Sequence, residues 1–149
     1  MSSHDVRVLN DLIEITIDSA DGYAEAARDA QAVRYSATFE SRSRERRQIA
    51  ARLQQQVAAL GGDAERGGSV LASAHRMFVN LKQTMRAGDQ AVVAEVERGE
   101  KYIQQQFEQA LHDGDLDPPT RAAIGEAYRA VQSDHGQLDL LRRASASQH

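Results

Sequence analysis

The sequence predicts an all-α protein, a four-helix bundle with a long connection between its second and third long helices. Three observations carry that reading. Apolar residues recur at steps of three and four along each long segment. Alanine, glutamine, glutamate and arginine, all strong helix formers, are abundant, while there are only 2 prolines in 149 residues. No run alternates polar and apolar residues as a half-buried strand would.

The first helix is expected from about Asp5 to Ala32, with Val6, Leu9, Ile13, Ile17, Ala20, Ala24 and Ala27 on one face. The second is expected from about Tyr35 to Leu60, through Phe39, Ile49, Leu53 and Val57. Gly61-Gly62 stops it. Neither Pro nor Gly marks the boundary between these helices, near Val33–Ser36. Gly61 to Gly68 reads as a loop. Ser69 can then cap a shorter helix from about Val70 to Arg86. Ala87-Gly88 ends it, and Asp89 can cap a helix running to about His112 through Val92, Val96, Ile103 and Phe107. Asp113-Gly114-Asp115-Leu116-Asp117-Pro118-Pro119 is a loop whose prolines suit the first turn of a last helix. That helix continues through Ile124, Tyr128, Val131 and Leu138 to about Arg143, and the tail beyond it is expected to fray.

Residues 1–149 read as one domain, ordered over about 5–143, long enough to bury a core without staples. The connection from Leu60 to Asp89 carries the extra short helix. A single long crossover in the middle of a bundle is the ferritin-like pattern. The absence of cysteine excludes disulfides, thiolate nucleophiles and Cys-based metal sites. No stretch approaches the ~20 apolar residues of a membrane span. The polar start Met1-Ser2-Ser3-His4-Asp5 has no signal-peptide pattern, so a cytoplasmic setting is expected. The net charge of −4 argues against general nucleic-acid binding, despite a local run at Arg42, Arg44, Arg46, Arg47 and Arg52. That run reads mainly as a solvated helix face, only part of it pointing outward, and lacks interleaved aromatics.

Placed on helical wheels, most polar residues fall on outer faces, and a few do not. Arg46 lies in line with Phe39, Ile49, Leu53 and Val57. Glu100 lies between Val96, Ile103 and Phe107. His135 lies between Val131 and Leu138, and Arg142 extends that stripe. His75 and Lys82 flank Phe78. Asp21 and Tyr23 sit at opposite edges of the first helix's apolar stripe. Buried charges need partners. The plainer reading of these residues is a buried polar network, with Arg46 and Glu100 paired and His135 hydrogen-bonded beside them. The sharper reading is a metal site of Glu45, Glu97, Glu100 and His135 for iron or manganese.

A di-iron bundle takes one Glu from each of two helices and Glu-x-x-His from each of the other two. Here Glu45-Arg46-Arg47-Gln48 and Gln132-Ser133-Asp134-His135 each have Gln in place of one ligand. Glu97-Arg98-Gly99-Glu100 supplies carboxylates three apart, and among Asp18, Asp21 and Glu25 on the first helix Asp21 looks best placed. Amides are poor replacements for these ligands, and Arg46 would repel a dication. The pattern is that of a degenerate or single-metal site more than a working di-iron centre. Gly62-Asp63-Ala64-Glu65-Arg66-Gly67-Gly68-Ser69 is no phosphate loop, since Gly68 stands where Lys is needed and no strand precedes it.

The stretch Val8-Leu9-Asn10-Asp11-Leu12-Ile13-Glu14-Ile15-Thr16-Ile17-Asp18, followed by Asp21-Gly22-Tyr23, resembles the opening of a bacterial ferritin-like four-helix-bundle family of unknown function. Leu60-Gly61-Gly62, Gly68-Ser69, His75-Arg76 and Leu81-Lys82 resemble its middle. Glu97-Arg98-Gly99-Glu100 and His135 with Leu141-Arg142 resemble its later helices. The resemblance spans about Val8 to Arg143. It implies a ferritin-like fold and assigns no activity; in the wider ferritin-like group some members bind metal and some are linked to stress.

Two functions are expected to compete. One is a non-enzymatic structural or stress-related interaction protein with a degenerate di-iron site and no catalytic residue. It would act through a protein partner, or through a homodimer that alanine-rich helix faces favour. The other is a metal-binding protein, with iron or manganese, of weak oxidase or storage activity.

Overall fold

A computed structural model of the chain describes residues 3–29, 33–68 and 86–133. Among the described residues the regular structure is four helices and no strand: α1 Ser3–Asp29, α2 Val33–Ala59, α3 Asp89–Leu111 and α4 Pro118–Ser133. The expected short helix from about Val70 to Arg86 lies outside the described residues except for Arg86, and so does the last helix beyond Ser133.

Local chemistry sets the ends. Gly61 adopts φ 79°, a left-handed conformation that costs glycine nothing. It donates to Ala58 O at 2.9 Å, and Gly62 donates to Val57 O at 3.0 Å. This is the Schellman pairing, which satisfies the last carbonyls of α2. At the start of α3 the expectation is corrected. Asp89 is the first helical residue, and the cap position belongs to Gly88, with φ 115° and no side-chain cap bond. At the start of α4, Pro118 and Pro119 occupy the first helical positions, where a missing N–H leaves nothing unpaired. Arg121 N then bonds to Asp117 O at 3.0 Å.

The contacts between ends give the topology. His4 at the start of α1 meets Asp113 just after α3, and Gly62 just after α2 packs on Val6. Both α2 and α3 therefore finish where α1 begins, so they run in the same direction, opposite to α1. Asp117, just before α4, lies on Asp5, so α4 runs with α1. Parallel α2 and α3 require a connection that returns along the bundle. Residues 62–68 make the first part of that return, climbing α1. Asp63 O and Glu65 N bond to the Asn10 side chain at 3.0 and 2.8 Å, and Gln54 Nε2 bonds to Glu65 O at 2.8 Å. Gly68 reaches Ile17 and Asp18, where a Cβ would overlap the Asp18 carboxylate.

The most extensive packing is between α1 and α2, α4 packs on α2 and α3, and α3 packs on α1. This places α2 and α3 across a diagonal. Small residues let α1 and α2 approach closely. Ser43 Oγ donates to Ala20 O at 2.8 Å and Ser36 Oγ to Ala27 O at 3.0 Å. Leu9 and Ile13, Leu53 and Val57, Ile103 and Phe107, and Ile124 and Val131 contribute fully buried side chains from α1, α2, α3 and α4 in turn.

Candidate functional site

A polar cluster sits inside this apolar core. Tyr23 of α1, Arg42 and Arg46 of α2, and Glu100 of α3 are each no more than 3% exposed. Arg46 Nη2 donates to Glu100 Oε1 at 2.9 Å and Oε2 at 2.8 Å. The Tyr23 hydroxyl donates to Glu100 Oε1. Arg42 Nη1 donates to the Tyr23 oxygen at 3.1 Å and lies 3.5 Å from Glu100 Oε1. Both guanidinium groups also lie over the Tyr23 ring, at 5.6 and 5.9 Å from its centroid. Phe39 packs against the same ring at 5.8 Å, and Tyr35 stacks on Phe39 at 6.0 Å, closing one side with aromatic surface.

The electrostatics follow from burial. A carboxylate away from water is stabilised only by donors and opposite charge, and Glu100 has both. Burial pushes the Tyr23 phenol far above its usual range; the Glu100 charge raises it further, and the arginines oppose this only in part. Tyr23 therefore stays protonated and serves as a hydrogen-bond donor. Such an arrangement can hold helices together. Among the described residues, both Glu100 oxygens and the Tyr23 hydroxyl are engaged in hydrogen bonds within the cluster.

The other sequence-predicted residues distribute as follows. Asp21 is corrected: it is exposed and pairs with exposed Arg47 at 2.9 Å, because it lies past the edge of the buried stripe. Glu45 and Glu97 are half-buried, each with polar interactions of its own. His135, His75 and Lys82 lie outside the described residues. Among the described residues, no group of three or more His, Asp or Glu side chains could hold a metal ion. The described part of the cluster does not fit a di-metal centre, since the inward carboxylate of Glu100 is already held by a guanidinium pair that would repel a dication.

Among the described residues, three buried charged residues are not singled out by the sequence. Arg42 was part of a run read mainly as solvated, yet it continues the steps of three and four from Phe39 to Arg46, and that spacing was the available signal. Asp18, not Asp21, is the buried carboxylate of the middle of α1, and Gly68 of the segment after α2 lies directly against it. Nothing in the periodicity of α1 announces that contact. Asp5 is fully buried at the far end, where its Oδ2 accepts the Asp117 N–H at 3.1 Å. It thus does from another helix what a capping-box acid does within one. Beside it, His4 Nε2 lies 2.6 Å from Asp113 Oδ2, and Asp113 Oδ1 accepts the Asp115 N–H at 2.9 Å. The Asp115 amide first, and His4 second, hold the Asp113 carboxyl below the usual carboxylate range.

Residues 5–113 match a family model described as a domain of unknown function (DUF2383), and the chain belongs to that family. The matched region takes in α1, α2 and α3 with Tyr23, Arg42, Arg46 and Glu100, and stops before α4. A comparison with curated proteins gave no match.

Proposed function

We propose that this member of a family of unknown function is a non-enzymatic ferritin-like bundle, a structural or interaction protein in which an Arg–Glu–Tyr cluster stands in the central place of a di-metal site. The observation that carries this reading is the double bond of Arg46 to Glu100. A metal ion at Glu100 would have to displace that guanidinium, then sit within reach of both positive charges, Arg46 and Arg42, in a medium that screens them poorly. The parallel course of α2 and α3 supports the ferritin-like assignment, since it demands the single long crossover of that group.

Function then falls to the outer faces. The exposed face of α2 presents Gln48, Ala51, Gln55 and Ala58 together with Glu40, Arg44, Arg47 and Arg52, a surface in which small and amide side chains are interspersed with charge. It supports docking of another helix, and a second copy of the chain is the proposed partner. The test is metal content by mass spectrometry, on untagged protein reconstituted with Fe(II), Mn(II) and Zn(II), with sedimentation of the same samples. Absence of stoichiometric metal together with a dimer is the expected result. Stoichiometric metal that disappears in Glu100→Ala would replace this reading with a metal-binding one and call for assays with O2 and peroxide.

A further inference from the structure

The cluster is also placed where a helical bundle is least well specified. Apolar residues repeat along all four helices, so a hairpin of α3 and α4 that slid by one turn against α1 and α2 would still bury an apolar stripe. A slip of one turn moves a helix by about 5.4 Å. The apolar pairs tolerate such a slip far better than directional groups do. Glu100 of α3 accepts hydrogen bonds from Tyr23 of α1 and Arg46 of α2 and lies 3.5 Å from Arg42 of α2. The cluster also bridges the diagonal pair α2 and α3, which otherwise pack little on each other. A slip of one turn would take Glu100 off Arg46 and Tyr23, and even a slip that handed it to Arg42, one turn away on α2, would cost Arg46 its Glu100 acceptor, a penalty that the apolar layers do not impose.

We infer that Tyr23, Arg42, Arg46 and Glu100 form a register key: they select one alignment of α3 against α1 and α2, and do not add net stability to the bundle. Replacing a whole buried charged group by apolar residues of similar volume is often neutral or stabilising, because desolvation of the ions is relieved as their attraction is lost. The key therefore acts by penalising the alternatives. This inference shares with the proposed function only the arginine-held state of Glu100.

The test is the combined variant Tyr23→Phe, Arg42→Met, Arg46→Met and Glu100→Met. The chain has no cysteine, so spin labels can be placed uniquely at Arg44→Cys on α2 and Lys101→Cys on α3, both exposed positions. The parent protein should give one narrow distance distribution. The apolar variant should keep or raise its melting temperature while its distribution splits or broadens by about 5 Å, one helical turn. A single narrow peak at the parent distance would overturn the inference, because register would then survive without the key. A variant that unfolds, or melts well below the parent, would overturn it too, because the cluster would then be a net stabiliser. Metal uptake by the parent would refute the proposed function and leave this distance measurement to be judged separately.

Discussion

Removing Glu100 alone should be far more damaging than removing the whole cluster. In Glu100→Ala, Arg46 loses both acceptors and the Tyr23 hydroxyl loses its own, while Arg42 loses a charge 3.5 Å away. The guanidinium groups remain in a core where both arginines are 0% exposed. Breaking a buried ion pair by deleting one partner costs about 3–5 kcal/mol. A domain's total stability is about 5–15 kcal/mol, so a large fraction would go. At about 2–4 °C per kcal/mol for a chain of this size, the melting temperature should fall by about 6–20 °C. Urea unfolding followed by circular dichroism measures the loss, and the melting curve supplies it if the variant is too unstable for a native baseline. The same substitution in an Arg46→Met background should cost less, since one of the cations that Glu100 holds is already gone. A loss below ~0.5 kcal/mol, the range of ordinary surface changes, would refute the reasoning, as would a double-variant cycle with no coupling.

Two other outcomes follow from the ends and the crossover. Gly68→Ala places a methyl group on the buried Asp18 carboxylate and should cost about 1–3 kcal/mol; Gly114→Ala, with nothing within 4 Å, is the control and should stay within about 0.5 kcal/mol in urea unfolding. For Asp113, whose carboxyl is held below its ordinary value in the folded state, the folded protein binds its proton less readily than the unfolded chain. Its contribution is present above the ordinary carboxylate range and is lost as pH falls through the lowered folded value. Melting temperature against pH should therefore fall less steeply on the acid side in Asp113→Asn, and identical acid limbs would remove His4 and the Asp115 amide as the cause.

The helices were legible because their signals are local. Steps of three and four, Gly61 after α2 and the prolines at the start of α4 each act through the backbone of their own segment. The same periodicity placed Arg46 and Glu100 on inward faces, and it contained Arg42 as well, although a run of neighbouring arginines masked it. What the sequence by itself determined, then, was which faces of which helices are apolar and which charges interrupt them. The pairing of Arg46 with Glu100 was already expected from the cost of unpaired buried charge; tertiary structure alone decided the other partners and the cover. It added Arg42 to that pair, laid Gly68 against buried Asp18 while leaving Asp21 in water with Arg47, and brought Asp5 to the Asp117 amide. Periodicity describes one helix in isolation, whereas burial of a residue at the margin of a stripe depends on what another part of the chain lays over it.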